Sequence, residues 1–350
     1  MELQFASEQD LGRWDELIAN NPDNGNIFQG KLFAQLKRAG GWTPRYITTD
    51  TGLAITAHER TIPLLGKLWY IPKGPGVADQ LALANLIPSL RTFARGNGVY
   101  LVKIETELLQ QSVGADFTSL TGLLPTRNIQ PNASTVVLDI SSDLDTVITS
   151  LNQKGRHAIR RAERDGVTVT SVPTSDQNCK IMYDLLRATS AGKFEGMVRD
   201  YEYYRAFWKA YDGNGTGKLF FAYSEGMLVA AAFTIILGTK ATYKDGASVR
   251  ERPVYGASHL LQWRIIEWLK TRGVTSYDLC GTPPSAHIND ESDPYYGIGR
   301  FKTSFSKSVT DYIGTYDLPI RPLPYRIWTK AGERVVKRIR RMNAETRFFY

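Results

Sequence analysis

The chain has 350 residues, of which 42% are hydrophobic and 22% are charged, and its formal net charge is +8. These values are typical of globular proteins, and the length allows two domains that each bury a core. No apolar stretch approaches the roughly 20 residues that a membrane-spanning helix requires, which excludes an integral membrane protein of helical type.

The first half of the sequence predicts a hairpin, a further strand, a helix and a last strand. Alternating apolar residues around a turn at Gly52 indicate the hairpin, and Gly98 stands where a glycine would end the helix. The predicted elements are strands at 45–48, 53–57 and 68–71, a helix at 80–95 and a strand at 100–105.

The same order of elements recurs in the second half. Gly226 follows Gly52 by 174 residues, and Gly273 follows Gly98 by 175. The predicted elements here are strands at 219–223, 228–237 and 241–245, a helix at 256–271 and a strand at 276–280. A meander followed by a helix and a strand is the core of the acetyltransferase-like fold, so we predict an α+β protein with two tandem copies of it.

The connection between the two copies predicts two helices. The first would start near Leu144, with Ser141 or Ser142 as its N-cap. The second is strongly basic and ends at Gly166. Its cations are Lys154, Arg156, Arg160, Arg161 and Arg164. An exposed face of this helix would attract RNA or anionic lipid, whereas a solvated linker helix is the alternative.

Two more helices are predicted within 173–212, and the stretch 281–299 predicts a long loop because it is rich in Gly, Pro, Ser and Asp. The segment 326–350 has eight basic residues against two acidic ones, which accounts for +6 of the net charge. Apolar residues at helical spacing make it a candidate basic amphipathic helix. It could bind a membrane surface or RNA, or it could pack on the body of the protein.

Five segments, taken in order, resemble the Fem family of bacterial cell-wall enzymes, which transfer amino acids from aminoacyl-tRNA to the stem peptide of peptidoglycan precursors. They are 70–75 (YIPKGP), 154–169, 222–232, 277–281 (YDLCG) and 299–305 (GRFKTSF). The resemblance implies two acetyltransferase-like (GNAT) domains with a cleft between them, the last residues returning to the first. Residues 1–140 with 316–350 would form the first domain, and 141–315 the second. No heptad insertion is present, so the chain resembles a compact member.

The resemblance also implies a binding site for the acceptor in this cleft. Lys37 and Arg199 match the cations that bind its pyrophosphate, and Tyr203 would share a helix face with Arg199. Lys73 could assist. Tyr243 matches an aromatic residue of the cleft, although core packing would explain it equally. Ordinary helix surface is the alternative for Lys37.

Phe301 and Lys302 match the dipeptide that lines the transfer site in compact members. A fixed ammonium of Lys302 could stabilise the tetrahedral oxyanion, or it could hold terminal phosphates of the tRNA. Alternation in 300–305 predicts a half-buried strand, on which Lys302 could also be a plain surface residue. Glu105 matches an acidic position of the family and is a possible base, with a structural role as the alternative.

No metal and no cofactor is expected, because His58, His157, His259 and His287 are scattered without ligand spacing. Two other functions stay open. An acyl-CoA-dependent N-acyltransferase would need a pyrophosphate loop before Gly256, but residues 250–257 lack the spacing of such a loop. A non-catalytic RNA- or membrane-binding protein would use only the basic helix and the C-terminal segment.

The expected partners follow from the resemblance. They are aminoacyl-tRNA as donor and a peptidoglycan precursor as acceptor, either UDP-MurNAc-pentapeptide or lipid II. Two cysteines are too few for a disulfide framework, and the first residues lack the pattern of a signal peptide. We therefore expect a cytoplasmic protein that could also contact the anionic inner face of the membrane.

Overall fold

A computed structural model describes residues 1–130, 133–192, 198–251, 253–334 and 338. The chain divides into two compact units. The first comprises Met1–Ala133 together with the described residues from Asp311 onward, and the second comprises Ser134–Thr310. In this described part of the chain, no helix combines the length and the apolar character needed to cross a membrane.

The described residues form two sheets and the helices that cover them. The strands are β1 (Leu3–Phe5), β2 (Thr43–Thr49), β3 (Ala54–Ile62), β4 (Gly66–Ile71), β5 (Val99–Ile104), β6 (Leu124–Pro125), β7 (Ser134–Asp139), β8 (Thr168–Val172), β9 (Gly217–Ser224), β10 (Met227–Leu237), β11 (Lys240–Ser248), β12 (Ser276–Gly281), β13 (Thr310–Asp311) and β14 (Tyr316–Pro319). The helices are α1 (Glu8–Gly12), α2 (Trp14–Ala19), α3 (Lys31–Leu36), α4 (Gln80–Gly96), α5 (Phe117–Thr121), α6 (Leu144–Ser150), α7 (Gln153–Arg164), α8 (Asp176–Ser190), α9 (Tyr201–Gly213), α10 (Ala257–Thr271), α11 (Tyr296–Lys302) and α12 (Pro322–Ile327).

The sheet of the first unit has the strand order β1-β2-β3-β4-β5-β14-β6. Among the ladders formed by the described residues of this sheet, only the β4–β5 pair is parallel. Helix α4 connects these two strands and buries Leu83, Leu86 and Leu90 in the core of the unit. The C-terminal strand β14 pairs with β5 and buries Leu318 in the same core. The described C-terminal residues Tyr316–Pro319 therefore belong to the sheet of the first unit, as expected for this part of the chain.

The sheet of the second unit has the order β13-β7-β12-β11-β10-β9-β8, and its β11–β12 ladder is parallel. Helix α10 connects β11 to β12 and buries Leu260, Ile265 and Leu269 in the core, while α7 contributes Ile159. The two units thus repeat a meander, a helix and a parallel strand. The predicted α+β fold with tandem acetyltransferase-like copies is confirmed, and so is the pair of helices predicted within 173–212.

Two details of the prediction were wrong. Asp143, and not Ser141 or Ser142, caps α6, since its carboxylate accepts a hydrogen bond from the backbone N–H of Thr146 at 2.9 Å. Strand β7 pairs with β12, so Ser134–Asp139 belongs to the second sheet although the predicted boundary at residue 140 assigned it to the first domain. Regular alternation in β7 indicates a strand but does not reveal its partner.

Candidate active site

The parallel strands β11 and β12 separate after only three paired positions, 240–242 with 276–278. Beyond this point a register shift interrupts the β10–β11 ladder between Phe233 and Thr234. On the other strand Cys280 has a left-handed backbone with φ of 62°, which is uncommon for a residue other than glycine. The two strands are therefore no longer hydrogen-bonded to each other beyond these positions. The side chains at their separated ends surround the candidate site.

Lys302 is buried at these strand ends, with 7% of its surface exposed. It is the last residue of α11 and not part of a strand, so the predicted strand at 300–305 and the surface lysine are both wrong. Its Nζ donates a hydrogen bond to the carbonyl oxygen of Gly281 at 2.6 Å. Alternation over six residues was too short a signal to distinguish a strand from one turn of helix.

Burial lowers the pKa of Lys302 to about 8, because an ammonium group loses hydration when it leaves water. The charges of Cys280 and Asp278 act in the opposite direction and favour the charged form. At neutral pH the side chain is therefore mostly an ammonium held in a medium of low polarity. Such a charge stabilises a nearby oxyanion more strongly than a solvated lysine does.

Phe301 anchors the segment that carries Lys302. Its ring meets the rings of His259 and Phe305 at centroid distances of 5.0 and 5.4 Å. His259 Nε2 lies 2.9 Å from Ser304 Oγ, which donates to the carbonyl oxygen of Phe301 at 2.5 Å. The backbone also approaches α7 closely, since a Cβ at Gly155 would lie 2.4 Å from the Ser304 carbonyl oxygen. These contacts fix the position of the lysine.

Tyr243 stands on β11 beside the same strand ends. Burial raises its pKa, and the charges of Asp245 and Cys280 add to this effect. Cys280 is thus an electrostatic neighbour of both Tyr243 and Lys302. The tyrosine hydroxyl lies over Gly246, where a Cβ would come within 1.6 Å of it. The position of this ring therefore depends on a glycine three residues later.

The prediction that Arg199 and Tyr203 share a helix face was wrong, although their side chains are in contact. Arg199 precedes α9, whose N-cap is Asp200. Its guanidinium carbon lies 4.6 Å from the centroid of the Tyr203 ring, which is a cation–π geometry. The backbone carbonyl of Arg199 accepts a hydrogen bond from the hydroxyl of Tyr183 at 3.1 Å. The arginine is thus held on an aromatic surface of the second unit.

The other two residues that were predicted to bind the acceptor substrate lie in the first unit. Lys37 begins a 3-10 segment after α3, is partly exposed, and has its Nζ 5.4 Å from the centroid of Phe33. Lys73 is buried, and its Nζ lies 3.9 Å from a carboxylate oxygen of Glu107 and 5.1 Å from the centroid of Tyr312. These contacts hold the Lys73 side chain in the first unit, and the binding roles of Lys73 and Lys37 both remain predictions.

Glu105 is buried and holds together several elements of the first unit. Its carboxylate accepts hydrogen bonds from the hydroxyls of Tyr70 and Thr315, at 2.5 and 2.9 Å, and from the backbone N–H of Gln130 at 2.9 Å. Three donors satisfy most of the acceptor capacity of a carboxylate. The structure therefore supports the structural alternative for Glu105, because donors of the protein itself engage its carboxylate.

The basic helix is confirmed as α7, which buries Gly155, Ala158, Ile159 and Ala162 against the unit. Its exposed cations are Lys154, Arg160, Arg161 and Arg164. Arg156 differs, because its guanidinium donates to the backbone carbonyls of Thr149 and Leu151 and so caps the preceding helix. The predicted basic face therefore has four exposed cations and not five.

The predicted C-terminal amphipathic helix is only partly described. Helix α12 and the π-helical turn Trp328–Gly332 precede it, and Trp328 is buried in the first unit next to Tyr100. The apolar residues Val335, Val336 and Ile339 lie outside the described residues, as do Lys337 and 340–350. The membrane- or RNA-binding role of this segment stays a prediction.

The chain is similar in sequence to a known domain family and to known enzymes. The acetyltransferase (GNAT) domain family matches residues 150–295, which lie in the second unit. The lipid II:glycine glycyltransferase of Staphylococcus aureus strain MRSA252 is 21% identical to the chain, with 92% of this chain and 94% of the relative aligned. The same enzyme from strain USA300 matches with the same identity and coverage.

Solved structures agree with the fold. The crystal structure of FemX superposes with a TM-score of 0.78 at 20% identity and covers 95% of this chain and 100% of FemX. L-PGS from Bacillus licheniformis matches with a TM-score of 0.52 at 16% identity, covering 93% and 96% of the two chains. The resemblance drawn from the sequence is confirmed, and the chain is a homologue of the lipid II:glycine glycyltransferases with the fold of FemX.

Proposed function

We propose that this protein is an aminoacyltransferase that moves an amino acid from aminoacyl-tRNA to the stem-peptide amine of a peptidoglycan precursor. The homologous glycyltransferases, which carry lipid II in their names, support the reaction class and the acceptor. The observation that carries the proposal is the buried ammonium of Lys302, fixed against the Gly281 carbonyl at the separated ends of β11 and β12. The product would extend a bridge between stem peptides.

The proposed chemistry is attack of the acceptor amine on the ester carbonyl of the aminoacyl-tRNA. The C–N bond forms, the carbonyl oxygen becomes an oxyanion, and the ester C–O bond then breaks. The amine gives up one proton, and the leaving 3′-oxygen of the tRNA takes one up. An ester is already activated, so positioning and oxyanion stabilisation supply most of the acceleration. Lys302 would stabilise the oxyanion, and Phe301 would keep its segment in place.

The acceptor carries a diphosphate in both of its forms, UDP-MurNAc-pentapeptide and lipid II. In the second unit Arg199 supplies a guanidinium that suits phosphate oxygens, and Tyr203 and Tyr243 supply hydroxyl groups. Lys37 remains a further predicted ligand. A lipid-linked acceptor would bring the protein to the inner face of the membrane.

The donor would dock on the exposed cations of α7. Lys154, Arg160 and Arg164 point their charges into solvent, and Arg161 lies over the ring of Tyr255 at 5.4 Å. Phosphate contacts of this type lose affinity steeply as the salt concentration rises. A double variant, Arg160→Glu with Arg164→Glu, should weaken tRNA binding at low salt and flatten its salt dependence. Unchanged tRNA binding in this variant would show that the donor does not dock on α7.

The direct test offers each radiolabelled aminoacyl-tRNA to the purified protein together with UDP-MurNAc-pentapeptide or lipid II. Label in the acceptor with one tRNA would establish the reaction and identify its amino acid. The matched control is Lys218→Met, which changes a partly exposed lysine of β9 that pairs with Asp212 at 3.5 Å. Acylation from acyl-CoA without transfer from any tRNA would favour an N-acyltransferase. Binding of tRNA or lipid vesicles without either reaction would favour a non-catalytic protein.

A further inference from the structure

A bulge in β11 places one lysine where a regular strand would not. Phe233 pairs with Asp245 and the next residue of β10, Thr234, pairs with Tyr243, so Lys244 is an extra residue in the ladder. Bulges redirect side chains and are frequent next to functional sites. Lys244 directly follows Tyr243, one of the residues assigned to the acceptor, and no sequence motif singled it out.

Lys244 lies on the same aromatic surface as Arg199. Its Nζ is 5.1 Å from the centroid of Phe207. The Phe207 ring stacks on Tyr203 at 6.1 Å with an interplanar angle of 26°, and the Arg199 guanidinium lies 4.6 Å from Tyr203. The two cations are therefore supported by the two rings of one stacked pair, within a single unit of the protein.

The carboxylate of Asp245 holds the ammonium group of Lys244 in place. Asp245 Oδ1 lies 3.2 Å from the Lys244 ammonium, and Asp245 Oδ2 accepts a hydrogen bond from the indole N–H of Trp208 at 2.9 Å. Burial opposes the charge, but Asp245, Tyr203 and Tyr204 outweigh it and raise the pKa of Lys244. An ammonium has three N–H donors, and this carboxylate uses one of them. The lysine keeps 18% of its side-chain surface exposed.

We infer that Lys244 is a second cation for the diphosphate of the acceptor, acting next to Arg199. An arginine fork and a compact ammonium together complement the two charges of a diphosphate diester. The inference rests on the proposed function, because it assigns one more residue to the same acceptor site. In the alternative, Lys244 only neutralises the buried carboxylate of Asp245.

The test compares Lys244→Met with Lys244→Arg and with the Lys218→Met control. Calorimetry with UDP-MurNAc-pentapeptide measures binding, and the transfer assay measures KM and kcat for this acceptor and for the free pentapeptide, which has no diphosphate. Losing one charged hydrogen bond should weaken binding roughly tenfold or more. We expect this loss in Kd and KM for Lys244→Met only with the diphosphate acceptor, an unchanged kcat, and recovery of most of the affinity in Lys244→Arg.

A purely structural role predicts a different pattern. Lys244→Met would then lower the melting temperature and affect both acceptors equally, and the double variant Lys244→Met with Asp245→Asn would restore activity with the diphosphate acceptor. Either result overturns the inference. Failure of the proposed function looks different again: if the wild-type protein binds the diphosphate acceptor but transfers nothing, calorimetry alone still decides the role of Lys244. If the wild type binds no such acceptor, both proposals are wrong.

Discussion

The two copies of the fold differ most where their parallel strands end. In the first unit β4 and β5 stay paired over five positions, and the backbone N–H of Glu105 continues the contact to the carbonyl of Ile71 at 3.2 Å. In the second unit β11 and β12 pair over three positions and then separate. The first unit, whose parallel strands stay paired to their ends, is therefore the closed copy of the fold. The second unit, whose parallel strands separate, is the open copy.

The equivalent tyrosines show the same difference. Tyr70 and Tyr243 are 173 residues apart on corresponding strands. The hydroxyl of Tyr70 donates to the Glu105 carboxylate, inside a network of buried hydrogen bonds. Tyr243 lies over Gly246 beside Cys280, the neighbour that it shares with Lys302. Buried hydrogen bonds therefore hold the strand ends of the first copy together, whereas in the second copy Tyr243, Cys280 and the Lys302 ammonium lie near the separated ends.

The largest effect on stability is expected in the closed copy. Lys103 and Asp317 form a buried ion pair of 2.6 Å between β5 and β14. Lys103→Met leaves a buried carboxylate without its cation and should lower the free energy of unfolding by about 3–5 kcal/mol. Urea unfolding measures the change. Lys67→Met, which removes a partly exposed partner of Glu59, should cost about 1 kcal/mol or less. Equal losses of unfolding free energy in both variants would contradict the larger contribution expected of the buried ion pair.

The matching change in the open copy should affect catalysis instead of folding. Lys302→Met removes the ammonium at the strand ends, and losing one oxyanion-stabilising group costs about 10²–10³-fold in kcat. Removing a desolvated charge favours folding and losing the hydrogen bond to the Gly281 carbonyl opposes it, so the unfolding midpoint should change much less than in Lys103→Met. Steady-state transfer kinetics and urea unfolding are measured on the same preparation, with Lys218→Met as control. A change in KM alone would assign Lys302 to binding.

A smaller effect is expected from the glycine beneath Tyr243. In Gly246→Ala the new methyl group would overlap the tyrosine hydroxyl, so the ring must move at a cost of about 1–3 kcal/mol. We expect a higher KM for the acceptor and a lower unfolding midpoint. Gly213→Ala is the control, because a Cβ there meets no atom within 4 Å at the end of α9. Identical kinetics in both variants would show that the position of Tyr243 does not matter for the acceptor.

The buried His58 of the closed copy should also make the free energy of unfolding depend on pH. His58 is fully buried among aromatic rings, and burial, with the charge of Lys37, lowers its pKa to about 3 from 6.5. Below pH 6.5 His58 becomes protonated in the unfolded chain but stays neutral in the folded protein. The free energy of unfolding therefore falls by about 1.4 kcal/mol per pH unit as the pH drops toward 3. His58→Phe should flatten this dependence of the unfolding free energy between pH 7 and 5. The same slope in both proteins would exclude His58 as its source.

Most of the architecture could be predicted from the sequence, because strand alternation, turn glycines and helix periodicity are local signals. The repeat between Gly52 and Gly226 was visible for the same reason. The partner of β7 and the N-cap at Asp143 were not, since pairing and capping geometry depend on tertiary contacts.

The candidate site was harder to predict. The resemblance singled out Lys302 and Arg199, but their surroundings differ from the expectation: one ends a helix in a buried position, and the other precedes a helix. Lys244 was missed because a bulge, which has no reliable sequence signal, sets its direction. Arg156 was misassigned because charge composition does not show which arginines cap backbone carbonyls.

The most direct test of the account is the pH dependence of kcat for wild type and Lys302→Arg. In the proposed reaction a protonated Lys302 stabilises the oxyanion, so its contribution would hold below its pKa of about 8 and be lost as the pH rises through that value. We expect the wild-type rate to bend downward above about pH 8. Lys302→Arg should lack this bend, since a guanidinium stays charged throughout this range. The same bend in both proteins would contradict a catalytic role for the buried ammonium of the open copy.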